Sequence, residues 1–410
     1  MSPITLLQNR ALTLAETGGT TATIGEPTVA NNDQELFLAG NWYATKSVDG
    51  GTTWTAVAPD ASFPPDGNGF CCDQVVAYDP ANNLLFWLLQ YKRDALEHKR
   101  NLLRLAVKRG GTLGDNTWQT WDLRPETTNA AWAGTWFDYP DLELGDNFLY
   151  LTTNNFDGDA FQRSVVFRLP LQTLRDRGSL SYRYFASTEN FSLRCVRGAR
   201  DTMYFASHNS TNRVRLFSWP ESAPTPTVHE VDISVWNSGP YSAPGPDGTN
   251  WLRRCTDRIT GAWLANGSIG LAWTANSADK DRPFPYIRVI EIDAASMQVT
   301  ADRDIWSNDY AFAYPNGAVN AAGKIGITLF RGGGGLNPGH VVGAFDEASG
   351  SWDLAVTRDG TNGPADNKWG DYLTCRPHTP DGQTWLATGY TLQGGGAPEN
   401  VEPRLVRFSA

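Results

Sequence analysis

The chain has 410 residues, with 44 acidic against 34 basic side chains and a net charge of -10. That balance excludes a nucleic-acid-binding surface, which needs clustered Lys and Arg. No apolar run approaches the ~18 residues of a membrane span, no leader of basic then apolar residues follows Met1, and the five cysteines have neither disulfide-framework nor zinc spacing.

In chain order, residues 4–14 read as a spare strand. One segment then recurs seven times: a polar or acidic start, an alternating strand, a turn rich in Asp, Asn or Gly, a second apolar strand, and a polar loop. The copies start near Glu26, Asp73, Asp138, Arg194, Asp257, Tyr314 and Asp371. Their second strands fall at residues 35–40, 84–90, 148–154, 202–208, 268–276, 324–330 and 384–390. The starts lie roughly 45 to 65 residues apart, the spacing of one four-stranded sheet per repeat. One such sheet cannot bury both faces, whereas seven stacked about an axis can. Gly and Pro are scattered, aromatics make 12% of the chain, and no linker divides it. The expected fold is therefore all-β, a single domain over 1–410 forming a seven-bladed β-propeller of four-stranded antiparallel blades. Six or eight blades, or a sandwich assembly, are its rivals. After the last start only three strands fit, so residues 4–14 are expected to complete the last blade and close the ring.

Ser47-Val48-Asp49-Gly50-Gly51-Thr52-Thr53-Trp54 fits the pattern S-x-D-x-G-x-T-W at every defined position. The glycines permit the turn, Asp49 can accept its N–H groups, and Trp54 packs back between sheets. The octapeptide resembles the Asp-box (BNR) repeat of sialidases and related propellers. Asp346 to Trp352 and Asn116-Thr117-Trp118 look like worn copies. In that family the box lies between the third and fourth strands, opposite the active face, so the resemblance implies fold and not chemistry. The family's first inner strand carries Arg-Ile-Pro, the start of a carboxylate-binding Arg triad. Here the corresponding stretch is Ile24-Gly25-Glu26-Pro27, so the resemblance covers the scaffold and leaves out the sialidase site.

In a propeller the inner strands begin, and the second strands end, on one face. The starts bring Asp73, Asp138, Tyr139, Arg194, Asp257, Arg258, Asp371 and Tyr372 to that face, and His208 ends a second strand beside them. These are the candidate catalytic residues. Glu26, Trp42, Arg93, Trp136, Asn155, Tyr314, Arg331 and Trp369 are the candidate substrate contacts, with Trp132 as a further stacking platform. An Asp at such a start also serves to bond the neighbouring blade, and Arg194 and Arg258 face either ligand or a structural carboxylate. Among the other histidines, His98 is expected to be solvated, His229 to lie in an outer segment, His340 to reach the rim and His378 to sit near a turn. Residues 331–335 are expected to form a rim or lid.

Such a funnel suits a polar, polyhydroxylated or anionic ligand. The leading expectation is an enzyme cleaving glycosidic bonds. Hydrolysis would use two of Asp73, Asp138, Asp257 and Asp371. Elimination beside a uronate would use Arg194 or Arg258 with Tyr139, Tyr372 or His208. The alternatives are a non-catalytic glycan- or protein-binding propeller and a biosynthetic enzyme of specialised metabolism. No cofactor or catalytic metal is expected, with a structural calcium left open at Asp157-Gly158-Asp159. The expected partner is a glycan or small molecule, with neither nucleic acid nor membrane, and the chain is expected to be monomeric. The compartment, secreted or cytoplasmic, stays open. Cys71-Cys72 reads first as two small buried strand residues, with reactive thiols or a vicinal disulfide as alternatives.

Overall fold

Second strands such as Leu84–Tyr91 and Ser268–Ala275 are near-continuous buried runs because both faces of their sheets are covered. Leu84–Tyr91 is buried at every residue. The computed structural model describes residues 4–410 except 65, 67, 68, 94–99, 116 and 278–281. The expectations for His98 and Asn116 therefore lie outside the described residues.

The described residues form seven sheets of four antiparallel strands each. Their first strands are Thr28–Asn32, Phe70–Asp79, Trp136–Leu144, Arg194–Cys195, Ile259–Ala265, Ala311–Val319 and Cys375–Pro377. Successive first strands pack side by side around a central channel. The fold is the expected seven-bladed β-propeller. Its seventh blade runs from Cys375–Pro377 through Trp385–Leu392 and Val401–Ser409 to Thr5–Ala11, so the two ends of the ring pair with each other. That pairing covers an edge that would otherwise be open to other strands.

Indole rings fill the wedges between blades where glycine lets them. A Cβ at Gly270 would fall 2.2 Å from the Trp263 ring, and one at Gly317 would meet the same ring from the next blade. The Ser47–Trp54 octapeptide closes the turn between strands Tyr43–Ser47 and Thr55–Val57. The Asp49 carboxylate accepts from the Thr53 hydroxyl (2.6 Å) and the Thr53 N–H (2.9 Å), and Trp54 Nε1 donates to the Gly51 carbonyl at 3.0 Å.

Two local expectations are made specific. Residues 331–335, expected as rim or lid, are the tip of a hairpin. Ile325–Gly333 and Leu336–Asp346 run as a hairpin whose tight turn needs left-handed φ at Gly334 and Gly335. Cys71 and Cys72 are joined as a vicinal disulfide, and both are partly exposed instead of buried.

Candidate active site

The mouth of the channel is built from irregular strand entries. Glu26, Tyr139 and Tyr314 hold left-handed φ of 44°, 56° and 57°. Such a conformation costs a bulky residue about 1–3 kcal/mol, and it recurs where side chains must be aimed. Tyr139 and Tyr314 lie where their strands slip register against the next, and Cys71-Cys72-Asp73 lie in a similar slip between Phe70 and Gln74. Bulges of this kind turn a side chain out of the pleat.

The side chains so aimed meet. Glu26 Oε2 accepts from Asn41 Nδ2 at 2.8 Å, and its Oε1 lies 3.3 Å from the Asp371 N–H. The Tyr372 hydroxyl donates to Asp73 Oδ2, and the Tyr139 ring stacks on Tyr372 with centroids 4.6 Å apart. Gln90 Nε2 donates to Asp138 at 2.9 Å. Arg258 lies over the Tyr139 face at 4.1 Å, with Nη1 3.6 Å from Asp371 Oδ2, and Arg254 Nη2 approaches the same oxygen at 3.8 Å. These ion pairs are longer than a hydrogen bond. Arg258 therefore enters the mouth with its donors unspent on the described residues.

Burial, followed by the charges of Asp73 and Asp371, holds the Glu26 carboxyl well above the usual carboxylate range. Asp73 is pushed up to about 7, first by burial and then by Asp138 and Asp371. Hydrogen bonds from Tyr372 and from Glu26 restrain that rise. Burial also raises Asp371, against the pull of Arg258 and Arg254. Glu26 and Asp73 are thus two buried carboxyls coupled through their charges, and both are pushed towards the protonated form. Beside the mouth, a cavity of about 240 Å³ is lined by His208, Asp257, Arg258, Trp236 and Phe191. Burial there lowers the His208 pKa to about 3, so its imidazole is neutral at pH 7.

The structure places the other candidates elsewhere or ties them up. Arg194 is buried against Asp141 at 2.8 Å, so its charge is spent within the wall. Asn155 is fully buried, donating to Thr135 and accepting from Arg163. Trp369 is fully buried against Tyr390, and the Tyr314 hydroxyl donates to the Trp369 carbonyl. Trp132 is buried beneath Arg163, so it is no open platform. Arg93 lies over Trp136 and pairs with Asp159, which covers that ring and occupies the segment considered for calcium. Arg331 pairs with Asp359. His340 does not reach the rim: it is fully buried between Thr328 and Thr357. Trp42 remains 40% exposed, its ring edge-on to Phe70. Arg254 and Phe191 were not singled out by sequence. The only sign of Arg254 was the density of Arg at 253, 254 and 258.

No family model matches the chain, and no curated protein matches it. Among solved structures it is similar to the Dos1 propeller, at 10% identity over 99% of this chain and 95% of that one, with a TM-score of 0.50. An α-L-arabinanase of Penicillium chrysogenum complexed with arabinobiose is 11% identical, over 97% and 98% of the two chains, with a TM-score of 0.43. A Trypanosoma rangeli sialidase is 10% identical over 80% of this chain and 58% of its own, with a TM-score of 0.42. At such identities the likeness defines the class of protein, a β-propeller, and nothing finer.

Proposed function

We propose that this propeller is a carbohydrate-active enzyme that hydrolyses glycosidic bonds of a polar glycan at the mouth of its channel. The observation that carries the reading is the convergence of carboxyls at the mouth, Asp73 held by the Tyr372 hydroxyl, Asp138 by Gln90 and Glu26 by Asn41 and the Asp371 N–H. Burial raises the Asp73 carboxyl, and a carboxyl raised in this way is matched to general-acid work. In this reading Asp73 gives its proton to the leaving glycosidic oxygen as the C–O bond breaks. Asp138, accepting from Gln90, takes a proton from the water that attacks the anomeric carbon. Arg258, seated on the Tyr139–Tyr372 stack, holds the sugar's oxygens.

Elimination is the second reading. Arg258, whose donors are unspent on the described residues, would neutralise a uronate there, whereas Arg194 is paired with Asp141. The Asp49-centred turn supports grouping the chain with Asp-box propellers, a statement about scaffold only. The test is reducing-end release from a panel of neutral and anionic polysaccharides, read alongside the ultraviolet absorbance of unsaturated uronates. Hydrolysis gives reducing ends without that absorbance, and Asp73→Asn abolishes them. Unsaturated product would replace hydrolysis by elimination. Saturable glycan binding without product would replace both by recognition.

A further inference from the structure

The other end of the channel holds a second cavity, of about 250 Å³, where the inner strands terminate. Three guanidinium groups line it, those of Arg197, Arg200 and Arg376, against one carboxylate, Glu143. In a chain with more acids than bases this local excess of cations is anomalous. Glu143 is already spent, because Arg197 grips it through Nε at 2.8 Å and through Nη2. Arg197 is spent in turn on Asn316 at 2.8 Å and on the Cys375 carbonyl. Just behind the wall, Asp141 neutralises Arg194.

Arg376 is left over. Its one hydrogen bond to the described residues runs from Nη2 to the Val76 carbonyl at 3.0 Å, and no carboxylate pairs with it. Burial and Arg197 lower its pKa to about 10 against the pull of Glu143 and Asp141, so it remains charged at pH 7. Arg200 is exposed at the edge and has no ion pair among the described residues. His378 stands at the lip, facing Arg407, Asp381 and Asp33. The remaining wall is largely apolar, with Leu144, Val319 and Leu386. Arg376 is partly exposed to the cavity, and a half-buried cation with no paired counter-charge gains from a bound anion.

We infer that this cavity binds a small organic carboxylate with an apolar body, its carboxylate seated on Arg376 with Arg200 at the entrance. Inside the cavity only Arg376 lacks a counter-charge, with Arg200 exposed at its edge, which calls for a monoanion, and the volume fits a single-ring acid, below the usual size of a drug-sized site. The site lies at the opposite end of the channel from Glu26 and Asp73, so it is separate from the proposed chemistry.

Calorimetric titration with benzoate and, separately, with inorganic phosphate tests the inference. Benzoate should bind saturably, more tightly than phosphate, and Arg376→Met should weaken it tenfold or more. Should that variant fail to fold, Leu144→Trp, which fills the cavity from a partly exposed position, should block binding, and Arg200→Ala should weaken it severalfold. No benzoate binding to the wild type, equal binding to the variants, or a preference for phosphate would overturn the assignment. None of these outcomes depends on glycan hydrolysis.

Discussion

The Tyr372 hydroxyl donates to Asp73 Oδ2 across 2.7 Å, joining the entry of the seventh blade to the second blade across the mouth of the channel. This bond stabilises the ionised form of Asp73, so it opposes the burial that raises the carboxyl's pKa. Tyr372→Phe should therefore raise that pKa further. The descending limb of the pH profile of kcat/KM should move up by roughly half a unit, and kcat should fall about tenfold. An unshifted profile at full rate would remove Tyr372 from the chemistry.

Glu26 offers a stability test. Its pKa in the folded chain lies well above that of an exposed carboxyl. The folded state therefore holds this proton more tightly than the unfolded chain, and the associated stability is full at acid pH and lost as pH rises through the folded pKa. Glu26→Gln should be more stable than the wild type at pH 8, with the difference shrinking towards pH 4. His208 and His340, both lowered to about 3, contribute in the opposite sense in both proteins and so cancel in the comparison. Denaturant melts at several pH values read this difference directly. The same substitution should cost at least ~100-fold in hydrolysis.

Arg194 separates a structural role from a binding one. Arg194→Met leaves Asp141 buried and unpaired, and should destabilise the fold by about 3–5 kcal/mol. Adding Asp141→Leu should recover most of that loss. A raised KM at unchanged stability would instead return Arg194 to the substrate.

The Cys71–Cys72 disulfide precedes Asp73 within the bulge of its strand. The native protein should resist thiol alkylation at both positions until it is reduced. Replacing both cysteines by serine should loosen the segment that aims Asp73, lowering kcat about tenfold while leaving the melting transition cooperative. Immediate alkylation of the unreduced protein would remove the bridge.

The ring was legible because its signals are local. Alternation, Asn-Gly and Asp-Gly turns, and the shortage of strands after Asp371 all lie in short windows of sequence. The strand starts likewise pointed to Glu26, Asp73, Asp138, Tyr139, Arg258, Asp371 and Tyr372, which the structure brings together. What sequence could not supply was the partner of each side chain. Arg194 and Arg258 look alike on paper, yet Arg194 meets Asp141 of the preceding blade while Arg258 meets an aromatic face. Asn155 and Trp369 sit at the expected edges of their blades but turn into packed interior. The far cavity left no pattern, since Arg376, Arg197 and Glu143 come from three different blades.

Arg197 leaves the fourth blade and reaches Glu143 of the third, Asn316 of the sixth and the Cys375 carbonyl of the seventh. One side chain therefore measures the bore of the channel. Adding or losing a repeat would change the diameter and strand at least one of these contacts inside the protein, where an unmet guanidinium is costly. Duplication or deletion of a repeat in this lineage would first require a different residue at position 197.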